Sequence, residues 1–207
     1  MPPQPMTGSP HIDIIRTRLE SRAPQTLDDP ILIPASVLIP VFDLDGRTRI
    51  LFTRRARGLA KHAGEVSFPG GRQDPGDRGP VEAALRETRE ELGIDSGKVV
   101  VLGALDPIST VTNYRVQPFV GEIPWPVEFQ MSEGEVGSVF DIAVEELLDP
   151  GIYTLHREHV WKGRPYPVHQ FRVAGENIWG ATGKILAQFL HVVYGWGDAE
   201  TVMAGRS

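Results

Sequence analysis

Ile12, Ile15 and Leu19 recur at helical spacing in HIDIIRTRLESR (11–22), which predicts a short amphipathic helix. ILIPASVLIPVFDLDGRTRILFTRR (31–55) then gives two β-rich runs around Asp45–Gly46, a hairpin signal. Residues 58–64 read as loop and EVSFP as a short strand, followed by a glycine turn at Gly70–Gly71. Behind that turn a glutamate-rich helix runs to Gly93, where a helix end favours glycine. KVVVLGALDPIST, YRVQPFVGEIP and VGSVFDI read as strands, the last leading into a short helix, AVEELLDP. YTLHREHVWKG and RPYPVHQFRVAG form a predicted hairpin around Lys162–Gly163, and IWGATGKILAQFLHVVYG (178–195) a second long helix. Hairpin-linked strands interleaved with helices predict an α/β chain built on a mixed sheet with helices packed against it.

Composition narrows the chemistry. The 207 residues include no cysteine, which removes disulfides, thiolate metal sites and thiol nucleophiles together and fits a cytoplasmic setting. No apolar run approaches the roughly 20 residues that span a bilayer, so no membrane partner is expected. The opening MPPQPMTGSPH has neither a basic nor an apolar signal region. A net charge of −6 argues against broad nucleic-acid binding. A polyanionic ligand would have to meet a local basic patch, and Arg54, Arg55, Arg57 and Lys61 form one.

On a helix, Glu87, Glu90 and Glu91 stand at i, i+3 and i+4 and share one face. Val81, Ala84, Leu85, Thr88 and Leu92 form the expected buried stripe, with the acids beside it. Two readings follow. Arg86 and Arg89 could neutralise the acids as a solvated, ion-paired face. Alternatively, three like charges at this spacing form a hard-oxygen site for Mg²⁺ or Mn²⁺, with open positions for water and substrate phosphates.

Gly71, five residues, Asp77, eight residues, then Arg86-Glu87-Thr88-Arg89-Glu90-Glu91-Leu92-Gly93-Ile94 resembles the Nudix box of hydrolases that cleave nucleoside diphosphates linked to another moiety. The usual box has a glutamate five residues after the glycine, seven residues before the arginine and an aliphatic residue at position 88. This chain has Asp77, one more loop residue and Thr88. LFTRRARGLAKHAGEVSFPGG (51–71) further resembles the coenzyme A diphosphatase subgroup, where the aspartate and the longer loop recur. YRVQPFVG, VFDIAVEELLDP and IWGATGKIL agree with that subgroup.

The resemblance implies a Nudix fold, a mixed sheet sandwiched between helices, over residues 31–196. A segment with the short helix (1–30) would precede it and a tail (197–207) follow. It implies metal binding by Glu87, Glu90 and Glu91 with help from Gly71, and Arg86 orienting a glutamate. Glu90, Glu87 or Glu135 would take the proton of the attacking water. Arg55, with Arg54, Lys61, His62 and Gly70, would contact substrate. The implied reaction is hydrolysis of coenzyme A or acyl-coenzyme A to adenosine 3′,5′-bisphosphate and (acyl-)4′-phosphopantetheine. Two alternatives stand beside it: another nucleoside diphosphate derivative such as ADP-ribose or a dinucleotide, or a non-catalytic ligand-binding module. A homodimer is a further expectation, with residues 11–22 as the candidate partner surface. Gly175–Gly180 has P-loop spacing, but Ala181 replaces the required lysine. His156, His159 and His169 read as hairpin surface residues rather than ligands.

Overall fold

The computed structural model describes residues 10–59, 62–161 and 163–202. Helix α1 spans Pro10–Glu20, and strands β1 (Ile33–Leu44) and β2 (Arg47–Arg55) form the expected hairpin. Asp45 (φ 54°) and Gly46 (φ 75°) both take left-handed backbone, as a two-residue turn between right-twisted strands requires. Short strands β3 (Val66–Ser67) and β4 (Gly70–Arg72) precede helix α2 (Pro80–Leu92). Then come β5 (Val100–Ala104), β6 (Ile108–Ser109), β7 (Tyr114–Glu122), β8 (Val136–Ala143) and α3 (Val144–Leu147). The chain continues through β9 (Tyr153–His156), β10 (Val160–Trp161), β11 (Arg164–Pro165), β12 (Val168–Val173) and β13 (Glu176–Trp179). It closes with α4 (Gly180–Tyr194) and α5 (Ala199–Val202).

Strand β1 organises the main sheet. It runs parallel to β7 from Ile33–Tyr114 to Val41–Glu122, and on its other edge meets β4 first and β2 later. β8 and β3 extend the sheet beyond β2, and β5 and β6 beyond β7. Because β1 is covered on both faces, its sequence is apolar at successive positions. Leu38 and Phe42 face α2, sharing a core with Ala84, Leu92 and Ile94. Ile39 and Val41 face the other way, into a core with Ile12, Ile15, Leu186, Phe189 and Leu190 of α1 and α4. The mixed sheet is therefore sandwiched between helices.

Several boundaries differ from expectation. The glycine turn is partly a strand, since Gly70 and Gly71 pair with Val37 and Ser36. Ile178 and Trp179 belong to β13, pairing with Phe171 and Gln170, so the last long helix starts two residues later than its pattern suggests. Trp179 is 43% exposed. The apolar face of α1 is spent inside the chain's own core, with Ile12 and Ile15 fully buried, so it is not an available partner surface. Val202 in α5 is also buried, so the tail contributes to the same core. The expected hairpin appears as the antiparallel pair β9–β12, its Lys162 lying outside the described residues. Among the described residues no helix is long and apolar enough to cross a membrane.

Candidate active site

Pro80 opens α2, and the N–H of Gly93 closes it by donating to the Arg89 carbonyl at 2.8 Å with φ 73°. The helix buries Ala83, Ala84, Thr88, Glu91 and Leu92, while Val81 and Leu85 are only half-buried. At about 100° per residue, the buried arc is thus rolled by roughly 50° from the predicted stripe toward the acids. The cause is the wall it meets. Gly71 on β4 has no side chain, and a Cβ there would lie 2.5 Å from the Glu87 carboxylate. The Glu87 carboxylate enters space that any other residue at position 71 would fill.

Arg86 spends all five of its N–H groups. Its Nε donates to Asp77 Oδ1 at 3.0 Å. Nη2 donates to Asp77 Oδ2 at 3.1 Å and to the Arg72 carbonyl at 3.0 Å. Nη1 donates to Glu87 Oε1 and Glu90 Oε2, both at 3.0 Å. This side chain therefore fixes the loop ahead of the helix and two of its glutamates at once. The Arg86 hydrogen bonds hold the Asp77 carboxyl below its ordinary range, helped by the Asp74 N–H. Spacing alone left Asp77 as a departure from the usual box. In the fold it is the anchor of Arg86.

Glu91 is different in kind. It is 5% exposed, and burial pushes its carboxyl up to about 8, with the charges of Glu87 and Glu135 adding to the shift. The Gly70 N–H and the Arg55 charge oppose it. Burial also raises Glu87, against the pull of Arg86. Glu135 reaches this group from a separate loop. Gln130 and Ser132 donate their N–H groups to the carbonyls of Leu92 and Glu91, capping the helix end, and Ala56 N–H donates to the Glu135 carbonyl. Glu135 remains exposed beside the buried pair.

Of the expected substrate contacts, Arg55 lies beside Glu91, and its Nε is buried without a hydrogen-bond partner. Arg54 does not join the site. Nη1 donates to the Gly64 carbonyl at 3.1 Å and Nη2 pairs with Glu176, because neighbouring strand residues point to opposite faces. His62 is exposed in a left-handed turn (φ 58°) and pairs with Glu65 at 2.9 Å. Lys61 lies outside the described residues. A cleft of about 880 Å³ opens along the outer side of α2, walled by Arg78, Glu82, Arg86 and Arg89. The histidines also divide. His169 is fully buried and meets the Tyr153 hydroxyl at 3.0 Å, and burial pushes its ring down to about 4.

The donor set suits a hard divalent cation. Glu87, Glu91 and Glu135 crowd negative charge around one buried wall, which a cation would reverse. Among the described residues the oxygens of Glu87, Glu90 and Glu91 do not all lie within 4.8 Å of one another, and Arg86 Nη1 holds Glu87 and Glu90. Metal binding would draw those two from the guanidinium.

Residues 32–177 match the family model of the NUDIX domain, and the chain belongs to the Nudix family. It is a hydrolase of the class that acts on pyrophosphate bonds of nucleoside diphosphate derivatives. A relative named "Uncharacterized Nudix hydrolase NudL" from Yersinia pestis (strain Pestoides F) is 39% identical over 155 residues, 73% of this chain and 75% of its own. The protein of that name from Yersinia pseudotuberculosis serotype O:1b gives the same figures. A C. elegans Ap4A hydrolase in a binary complex superposes with a TM-score of 0.47 at 22% identity, covering 55% of this chain and 83% of that one. The M. smegmatis Nudix hydrolase RenU gives 0.48 at 16% identity, covering 56% and 74%. Nudix hydrolases generally use divalent metal ions.

Proposed function

We propose that this hydrolase splits the diphosphate of coenzyme A or acyl-coenzyme A, releasing adenosine 3′,5′-bisphosphate and (acyl-)4′-phosphopantetheine. The observation that carries the reading is the placement of Arg55. The segment 51–71, which resembles the coenzyme A diphosphatases, supplies the second half of β2, all of β3 and part of β4, and it sets an unsatisfied buried guanidinium nitrogen beside Glu91. A guanidinium so placed is suited to a phosphate oxygen.

Glu87, Glu90, Glu91 and the Gly71 carbonyl would hold Mg²⁺ or Mn²⁺. When bound, the cation supplies charge neutralisation at the diphosphate and a more acidic water. Arg86 is a positioning residue, holding Glu87 and Glu90 at the helix face. Glu135, exposed beside Glu87 and Glu91, would take the proton of the attacking water as the P–O bond of the diphosphate breaks. Gly70 donates its N–H to Glu91 and keeps that carboxylate seated.

Purified protein with Mg²⁺ is assayed on coenzyme A, acetyl-coenzyme A, ADP-ribose and diadenosine polyphosphates. Coenzyme A compounds should give the highest kcat/KM. A tenfold preference for another member of the panel overturns the substrate reading and leaves the family intact. Glu90→Gln should lose at least about 100-fold in kcat with its melting temperature kept, because that side chain is half exposed.

A further inference from the structure

His156, Glu158 and His159 bring His Nδ1 or Nε2 and carboxylate oxygens within 4.8 Å of one another, the one such group of three found among the described residues. His156 ends β9, and the other two follow in the connection toward β10. The three-stranded sheet runs β13–β12–β9, and β13 is the strand that packs against β3, so the trio sits at the edge away from the main sheet.

The hydrogen bonds behind His156 fix its tautomer. Gln170 Nε2 donates to Asn177 Oδ1 at 2.8 Å, which leaves Gln170 Oε1 as acceptor. That oxygen lies 2.8 Å from His156 Nε2, so Nε2 carries the proton. The Nδ1 lone pair is then turned toward Glu158 Oε1, 3.2 Å away. A lone pair and a carboxylate oxygen repel at that distance unless a proton or a metal ion joins them. A polar chain that orients the imidazole from behind is how proteins support metal-ligating histidines.

We propose that His156 Nδ1, His159 Nε2 and Glu158 Oε1 form a second cation site, separate from the glutamate helix and selective for a borderline transition metal, with Zn²⁺ the best fit. Two imidazoles and one carboxylate favour Zn²⁺, Co²⁺ or Cu²⁺ over the hard Mg²⁺ and Mn²⁺. Tetrahedral Zn²⁺ with bonds near 2.1 Å places its ligand atoms roughly 3.4 Å apart. The His156–Glu158 pair, at 3.2 Å, is within about 0.2 Å of that spacing, and the His159–Glu158 distance of 4.0 Å must close by about 0.6 Å. The bound ion would staple the end of β9 to the connection that follows it.

The test uses the full chain, stripped of metal and loaded with one equivalent of Cu²⁺ in the presence of excess Mg²⁺. Electron paramagnetic resonance should show two imidazole nitrogens in the wild type and in Glu90→Gln, since the glutamate helix offers only oxygen. The nitrogen signal should vanish in His156→Ala/His159→Ala, whose metal-free melting curve serves as the folding control. In Zn²⁺ competition titrations Gln170→Ala should bind about 10- to 100-fold more weakly. Two results overturn the proposal. Oxygen-only coordination in the wild type would mean that a proton alone joins His156 to Glu158. A nitrogen signal surviving the double substitution would place the metal on other histidines.

Discussion

Asp77 grips Arg86 through two parallel hydrogen bonds, Nε to Oδ1 at 3.0 Å and Nη2 to Oδ2 at 3.1 Å, with the Asp77 side chain 4% exposed. The same guanidinium reaches Glu87 and Glu90 from its other nitrogen, so the aspartate governs the glutamates at one remove. Asp77→Asn keeps the shape but weakens the fork. It should cost about 1 kcal/mol in urea unfolding and lower kcat about 10- to 100-fold through misplaced glutamates. The folded-state carboxyl lies below its unfolded value of 3.8. Its stabilisation is therefore present above that value and is lost only as pH falls through the lower folded one. The difference between wild type and variant should stay constant from pH 5 to 8.

Gly70 and Gly71 separate fold from function. An added Cβ at Gly71 meets the movable Glu87 carboxylate at 2.5 Å, so Gly71→Ala should fold with a loss of about 1 kcal/mol or less and lose at least about 100-fold in turnover. At Gly70 the Cβ would lie 2.3 Å from the Ser36 carbonyl oxygen and 2.6 Å from Val37 Cα, both backbone, at φ 153°. Gly70→Ala should be destabilised by about 3 kcal/mol or more. Denaturant melts and initial rates on both variants check the contrast.

Glu91 makes the metal-free protein sensitive to alkali. Its folded pKa, near 8, lies above the ordinary 4.5, so the folded state binds the extra proton between those values. This contribution is fully present below pH 4.5 and is lost as pH rises to 8. With a chelator present, the melting temperature should fall from pH 5 to 8 more steeply in the wild type than in Glu91→Gln. Mg²⁺ should flatten the wild-type slope, because binding requires the ionised carboxylate and releases the proton.

Arg54 and Arg55 are adjacent and should behave differently. Arg54 ties the 62–65 turn and β13 to β2 through Gly64 and Glu176. Arg54→Ala and Glu176→Ala should be non-additive in stability by about 1 kcal/mol, with kcat changed less than about twofold. Arg55→Ala should fold and lose tenfold or more in kcat/KM on coenzyme A. A double-mutant cycle and steady-state kinetics measure both.

Much of the site was readable in advance because its signals are local. Glutamates 87, 90 and 91 share a helix, and helical periodicity alone sets them on one side. Gly93 and the Asp45–Gly46 turn are fixed by φ values that few other residues tolerate. The roll of the helix was not readable, since it depends on the bare backbone of β4 behind Glu87. Nor was the strand at Ile178–Trp179, where pairing with Phe171 and Gln170 overrides a helical pattern.

By itself, the sequence determined where helices, turns and carboxylates lie, because capping, turn chemistry and periodicity act over a few residues. Only the tertiary structure decided which distant groups meet. Arg55, Glu91 and Glu135 converge through the loop 130–135 docked on the helix end, and Asp77 closes on Arg86 across a loop. Such meetings depend on burying both faces of β1 and pairing it in parallel with β7, a choice the whole core makes together.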